Sequence, residues 1–475
     1  MNKSSRTALS AALSLGLSLG ISPLAAQAAN DAELAEIRKQ LQQMKDAYEQ
    51  RIVQLEQKLA RTEATAAKAE TVARDAENSA REANLRPPLA SATGAPPAAN
   101  GFNPEISLLL QGQYRNMKDV PNRRISGFWP TDINEPRGFS VDETELAFSA
   151  NISPFWRGQV TLALVDSDVE VEEAYFQSLG LGYGLGLKGG RYRSGIGYLN
   201  QQHAHAWDFA DAPLMYKAMF GQAANYTEDG LQLKWVAPTP MFLEFGAEIA
   251  NGANYPGTDN NKNGSNAGAV FAHIGDDIGV SNSWLAGISY LDTRAKDRDG
   301  SFQAVDGSEA TGNFNGKSKT WLADFVWKWA PDGNAKYQNF KLQGEYFYRK
   351  EQGSFACLDT AGGGCNGGAG VTSRYDTRQS GWYMQGVYQF SSRWRAGLRY
   401  DQLDPGRRDL GANQANLNIA NHTPTRTTLM TDYSWDEFSR VRLQFAHDKA
   451  MQGVTDNQVW VQYIMSLGAH GAHRF

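Results

Sequence analysis

From Ile106 onward the chain alternates. In ISLLLQGQYR (106–115), Ile106, Leu108, Leu110, Gly112 and Tyr114 share one face; Ser107, Leu109, Gln111, Gln113 and Arg115 share the other. In TWLADFVWKW (320–329), Trp321, Ala323, Phe325, Trp327 and Trp329 alternate with Leu322, Asp324, Val326 and Lys328. FKLQGEYFYR (340–349) repeats the arrangement. A period of two makes extended strands with two unlike faces. An apolar face with aromatic ends, opposed by a charged face, is the pattern of an all-β, transmembrane antiparallel β-barrel with a wet lumen. A soluble sandwich also buries one face, but has no need of aromatics at strand ends so regularly. The 12 Trp and 19 Tyr fit this reading, because the mean hydropathy is only −0.50 and the apolar character must therefore alternate.

About sixteen such segments occur, centred near residues 110, 146, 160, 174, 188, 233, 246, 271, 287, 324, 344, 385, 398, 430, 444 and 462. Short links follow the even strands, as in SPF, APTP, SSR and DEF. Longer ones mostly follow the odd strands: 117–139, 194–228, 293–318, 351–379 and 403–425. The link after the third strand is short, an exception. Short turns at one rim and long loops at the other are the outer-membrane arrangement. An even count puts both barrel ends on the periplasmic side.

The first hundred residues are a different material. MNKSSRTALSAALSLGLSLGISPLAAQA (1–28) has Lys3 and Arg6, an apolar run and a small-x-small close, the signature of a secretory signal peptide. In 29–85, apolar residues at Leu34, Ile37, Leu41, Met44, Tyr48, Ile52, Leu55 and Leu59 step by three and four. That is a heptad seam with one stutter, and it predicts a self-associating periplasmic coiled coil. The Pro/Ala-rich stretch 86–104 is a linker, and 105–475 is the barrel. The net charge of −5 becomes more negative on loss of the leader, giving no sign of a nucleic-acid partner. No other stretch reaches the roughly 18 apolar residues of a membrane helix. Cys357 and Cys365, in CLDTAGGGC, are close and separated by glycines, which outside the cytoplasm predicts a local disulfide. The competing metal reading has only Asp359 as a further ligand.

The segments EEAYF (172–176), LKGGRYRSGIGYLN (187–200), DFADAPLMYKAMFG (208–221) and EDGLQLKW (228–235) resemble the trimeric bacterial porins, specifically the phosphate-selective porin O/P-like group. They cover about a fifth of the barrel; the rest matches in pattern. A coiled coil before a porin is similar to the extension of sugar-specific porins. The ending WVQYIMSLGAHGAHRF resembles a branch associated with zinc regulation or labelled as a receptor. The resemblance implies a homotrimer in outer-membrane lipid, with the coiled coil holding the trimer or reaching the cell wall. It also makes the terminal Phe475 the aromatic end typical of barrels delivered to the assembly machinery. In sixteen-stranded porins the third long loop folds into the lumen and sets the constriction. Here that loop is 194–228, and Asp208, Asp211 and Lys217 become the expected eyelet charges, with the aspartates facing a basic wall.

The lumen charges divide into arcs. Glu143, Glu145, Glu170 and Glu172 make an acidic one. Arg193, with Lys188 or Arg191 according to register, joins Lys341, Arg349, Arg395, Arg399, Arg426, Arg440 and Arg442 in a basic one. Opposed arcs create a transverse field, and the run of cations predicts a preference for anions or dipolar solutes.

His203 and His205, with Asp208 and Asp211, offer an alternative: a zinc site for a substrate-specific uptake or binding protein. In an extended His-x-His both rings point the same way, although tetrahedral sites rarely draw on one short segment. HGAH (470–473) is a second candidate. Enzyme readings find little footing: no Ser sits in a nucleophile motif, and His447-Asp448 lacks an evident partner. GLGYGLG (180–186) is a glycine-rich turn rather than a phosphate loop. A gated receptor would need a plug domain of more than a hundred residues. The expected function is a passive diffusion channel for small hydrophilic solutes or anions, with no resident cofactor.

Overall fold

The computed structural model describes residues 104–468, apart from 132, 142–143, 166–167, 259–262, 359–364 and 366–370. The leader, coiled coil, linker, Glu143, HGAH and Phe475 lie outside the described residues. Seventeen antiparallel strands form one closed sheet. The first half of the wall is β1 Glu105–Asn116, β2 Gly138–Val141, β3 Thr144–Ser153, β4 Trp156–Val165, β5 Asp168–Ser178, β6 Leu185–Arg193, β7 Thr227–Val236 and β8 Phe242–Ala250. It continues through β9 Ala267–Ile278, β10 Asn282–Gln303, β11 Glu309–Trp329, β12 Asn339–Leu358 and β13 Val371–Ser391. The last four are β14 Trp394–Asp409, β15 Thr425–Ser434, β16 Ser439–Lys449 and β17 Asp456–Gly468.

The barrel has sixteen staves because β2 and β3 share one. Both pair with β1, β2 through Gly112–Val141 and β3 through Leu109–Glu145, so they are two ends of one interrupted strand. Closure comes from β1 pairing with β17, as in Gln111–Ile464. Closure leaves no unpaired strand in the ring, although the upper ends of β10 and β14 outrun their neighbours β9 and β15.

Alternation sorts the faces. Along β1, Leu109, Gln111, Gln113 and Arg115 are buried toward the interior, while Ile106 and Leu110 are exposed outward. Outward aromatics form two girdles. Near the short-turn rim Trp235 stacks on Phe245, Trp327 meets Phe340, and Trp394 meets Tyr433. Higher up, Trp321 lies between Tyr290 and Tyr348, and Trp382 packs on Tyr400. Trp321 to Trp329 is eight residues of tilted strand, about 20 Å of height, close to the apolar band of an outer-membrane barrel.

Strands β10 to β14 run far beyond that band, so most of 293–318 and 351–379, and the first part of 403–425, expected as loops, are strand. The reason is wetting. TRAKDRDGSFQ (293–303) is polar on both faces above the apolar band, and alternation no longer reports the strand. Cys357, at the tip of β12, is disulfide-bonded to Cys365. Among the described residues no helix is long and apolar enough to cross a membrane.

Candidate functional site: a loop braced across the lumen

Between β6 and β7 the chain leaves the wall and enters the barrel. Its short helix α1 (Leu214–Phe220) is wholly buried. Leu214, Met215, Tyr216 and Met219 pack with Ile125 and Phe128 of the β1–β2 loop and with wall residues Phe271, Leu322, Phe347 and Leu403. An irregular segment inside a barrel must satisfy its backbone polar groups. Wall side chains do this. Glu345 Oε1 accepts from the Leu199 amide at 2.9 Å and Glu248 Oε1 from Gly195 at 2.8 Å. Asp401 Oδ1 accepts from Leu214 at 2.9 Å and Gln444 Oε1 from Ala210 at 2.8 Å. The phenols of Tyr216 and Tyr383 also donate to Glu345, at 2.8 and 2.7 Å.

The loop is braced electrostatically at both ends of HAHAWDFAD (203–211). On the basic side, Asp208 meets Lys341 Nζ at 2.6 Å and Arg395 Nη1 at 3.1 Å. Asp211 meets Arg399 Nη2 at 3.0 Å and Arg426 Nη1 at 2.7 Å. Burial opposes both charges, but Lys341 and Arg395 pull Asp208 down to about 2, and Arg399 and Arg426 pull Asp211 lower still. Arg442 and Arg440 hold loop carbonyls: Arg442 Nη2 donates to Trp207 O at 3.0 Å and Arg440 Nη2 to His205 O at 2.8 Å.

On the acidic side, His205 Nδ1 lies 2.8 Å from Glu145 Oε1. His203 Nδ1 lies 3.1 Å from Glu145 Oε2 and 3.2 Å from Glu172 Oε2, while its Nε2 lies 3.0 Å from Glu173 Oε2. Burial and Arg193 disfavour the imidazolium, yet Glu145 and Glu173 raise His203 to about 9.

Several expected roles change here. Asp208, Asp211 and Lys217 are each less than a tenth exposed. The aspartates do face the basic arc, but at ion-pair distance, so they are buried bracing groups rather than eyelet charges lining open space. Lys217 turns instead to Glu135 of the β1–β2 loop, which Arg115 also holds at 3.0 Å. The zinc grouping changes too, since Asp208 and Asp211 turn to Lys341, Arg395, Arg399 and Arg426, whereas the histidines turn to Glu145, Glu172 and Glu173.

Arg191 is not in the lumen. It pairs with Asp229 at 2.7 Å, both about half exposed, on the outward face shared by Leu231, Leu233 and Trp235. Arg193 does reach inward, where the strand ends and the chain leaves the wall; it pairs with Glu172. Arg349 faces the interior but binds Tyr255 Oη at 2.7 Å and Gln379 at 2.9 Å, and reaches the infolded loop through Tyr255, whose hydroxyl donates to Ala218 O at 3.5 Å. Glu145, Ala163 and Glu170 share one face, Glu170 being exposed toward the long-loop rim.

Glu173 escaped the parity argument. A bulge between Thr161 and Leu162 sets Thr161 opposite Glu173 but Leu162 opposite Val171, so Glu172 and Glu173 both reach the histidines. The doubled Glu at 172–173 was the one available signal.

Beneath the loop, toward the short-turn rim, lies a cavity of about 1110 Å³. Tyr198, Gln201, Gln202, His203, His205 and Ala206 form its roof. Its wall carries seven Lys or Arg (188, 193, 234, 328, 341, 395, 440) and seven Asp or Glu (145, 173, 244, 276, 277, 436, 437). The surplus of cations expected from the basic arc is therefore balanced where a solute would meet it.

An uncharacterized protein of Aquifex aeolicus (strain VF5) is 30% identical over 408 residues, 80% of this chain and 82% of that one. The chain belongs to that protein's family. No family model matches the chain. Among solved structures, a loop-deletion form of the Vibrio cholerae outer membrane protein OmpT covers 78% of this chain and 100% of its own length, at 12% identity and TM-score 0.48. The outer membrane channel DcaP of Acinetobacter baumannii aligns over 78% of this chain and 99% of its own, at 12% identity and TM-score 0.45. An anion-selective porin from Comamonas acidovorans aligns over 77% and 99%, at 10% identity and TM-score 0.45.

Proposed function

We propose that this member of the Aquifex family is a non-catalytic outer-membrane channel for small hydrophilic solutes, with its constriction set by the loop between β6 and β7. The observation that carries the reading is the pairing of an outward apolar band, bounded by two aromatic girdles, with an interior cavity of about 1110 Å³ lined by charge. Acidic groups on β3 and β5 face basic groups on β11 to β16 across that cavity. The balance favours dipolar or zwitterionic solutes over simple anions, because a transverse field orients a dipole whereas net charge selects an ion. Homotrimeric assembly, with the N-terminal coiled coil in the periplasm, accompanies the reading.

Purified full-length protein in a planar lipid bilayer provides the test. Discrete, ohmic conductance steps are expected, with a reversal potential near zero in a KCl gradient. Absence of steps from folded protein would overturn the channel; a strong cation or anion preference would overturn the balanced lumen.

A further inference from the structure

The acidic end of the brace has a second capacity. Two imidazole nitrogens and the Glu145 carboxylate converge on one point of the cavity roof, with the Glu172 carboxylate beside His203. The ligand atoms of Glu145, His203 and His205 all lie within 4.8 Å of one another. The separations are 2.8 Å from His205 Nδ1 to Glu145 Oε1, 3.1 Å from His203 Nδ1 to Glu145 Oε2, and 3.2 Å from His203 Nδ1 to Glu172 Oε2. In a tetrahedral zinc site with bonds of about 2.0 Å, neighbouring ligand atoms stand about 3.3 Å apart. The spacings of the two histidines to Glu145 need only a few tenths of an ångström of expansion, and a turn of the Glu172 side chain, already beside His203, completes the set.

We infer that Glu145, Glu172, His203 and His205 form a binding site for a borderline transition-metal dication of the zinc type, clamping the infolded loop to the wall.

Four features support it. The donor set is mixed imidazole and carboxylate, the chemistry such dications take. The ring is oriented from outside: His203 Nε2 lies 3.0 Å from Glu173 Oε2, so an Nε2–H donated there stays in place when Nδ1 gives up to solvent the proton it shares with Glu145 and Glu172, and the freed Nδ1 lone pair can take a metal. Glu173 is itself fixed by the Arg193 backbone amide at 3.2 Å. The charge also fits, since Glu145, Glu172 and Glu173 converge with one guanidinium, Arg193, in contact. A dication takes over from the His203 proton as the counter-charge facing these carboxylates. Access exists as well, because Glu145, His203 and His205 border the large cavity. The two rings stack at 5.5 Å and come from a segment held by Arg440 on His205 O, so both present Nδ1 to the same carboxylate.

The site is independent of conduction, so the two readings fail separately. Zn²⁺ is titrated into detergent-folded, full-length protein by calorimetry, and Co²⁺ substitution is read by visible absorption. One dication per chain is expected, with the intense visible bands of tetrahedral Co²⁺. His203→Ala and His205→Ala should each weaken Zn²⁺ binding by at least about 100-fold, and Glu173→Gln by about 10- to 100-fold. His422→Ala and His447→Ala, at rim histidines elsewhere in the chain, should leave it unchanged. Folding of each variant is checked by heat-modifiable gel mobility; if an alanine variant fails to fold, Glu145→Gln replaces it. No Zn²⁺ binding by the folded parent protein, or binding that survives both histidine substitutions, overturns the site. Zn²⁺ binding by a barrel that does not conduct would sink the channel and keep the metal site.

Discussion

Arg426 Nη1 stands 2.7 Å from Asp211 Oδ2, a contact that ties the infolded loop to β15 inside the barrel. Arg399, on β14, takes the other carboxylate oxygen at 3.0 Å and the Asp211 carbonyl at 2.7 Å. Both guanidiniums are almost fully buried. Asp211→Asn keeps the shape and removes the charge. Leaving two buried cations with one fewer counter-charge should cost about 3–5 kcal/mol, the range for breaking a buried pair. The loss falls on loop docking, because the wall keeps its backbone ladder. Single-channel recordings should show larger and noisier steps than the parent protein, and the 203–226 segment should become protease-sensitive. Unchanged conductance and protease resistance would remove Asp211 from the bracing role.

Glu345 is the second anchor. It accepts from the Leu199 amide and from two tyrosine hydroxyls, and the loop passes so close that a Cβ on Gly197 would stand 2.6 Å from its Oε2. Gly197 also has φ +65°, where a side chain is strained. Glu345→Leu leaves three buried donors without their acceptor, at about 1–3 kcal/mol each before relaxation. Gly197→Ala should give a milder version of the same loosening. Hydrogen exchange of the 195–200 amides measures both, with Glu345→Leu fastest. Equal protection in all three proteins would show that the loop is held elsewhere.

The wall was legible because membrane strands must alternate. The sixteen segment centres fall within or beside the observed staves, and the short turns SPF, APTP, SSR and DEF join the expected pairs. Alternation stopped informing where both faces are wet, which is why β10 to β14 outran their expected ends. The infolded loop was reached through the porin resemblance and its length; its contacts were not. Parity assigned Glu145 and Arg399 to the interior, but nothing local shows that HAHA meets one wall and DFAD the other. The bulge at Thr161 and the outward turn of Arg191 lie beyond a period-two reading, since each depends on one residue's backbone geometry.

Asp208 gives a pH test with a defined sign. Its carboxyl is held at about 2, below the ordinary 3.8, because Lys341 and Arg395 outweigh burial. A depressed pKa contributes stability that is complete above the ordinary value and lost as pH falls toward the folded one. The shift corresponds to about 2 kcal/mol. Loop protection from an acid-active protease should therefore be flat from pH 7 to 5 and decline between about 4 and 2. Asp208→Asn should make that decline shallower, with Asp211 supplying the remainder, and lower protection at neutral pH. A decline beginning near pH 6 in the parent protein would assign the acid sensitivity to another group.

At the long-loop rim, Arg298 fastens the β1–β2 loop to the extended strands. Its guanidinium lies 4.1 Å from the Trp129 ring and 4.6 Å from the Phe314 ring, and it grips Glu351 with two bonds of 2.8 and 3.1 Å. Glu351 is fully buried, and its charge rests on that fork. Arg298→Ala removes the carboxylate's fork, leaving it the charge of Arg349 and the Ser318 hydroxyl, and opens the aromatic stack, which should cost about 3 kcal/mol locally, the low end for breaking a buried pair. Arg298→Lys keeps the charge but cannot reproduce a planar fork under an indole, so it should recover only part of the loss. Exchange protection at Phe128 and at Trp129, whose indole donates to Asp299 O at 3.3 Å, reports the clamp directly. The expected order of protection is parent, lysine, alanine, with β1 and β17 amides unchanged in all three. If lysine matches the parent, charge alone suffices there and the stacked geometry contributes nothing.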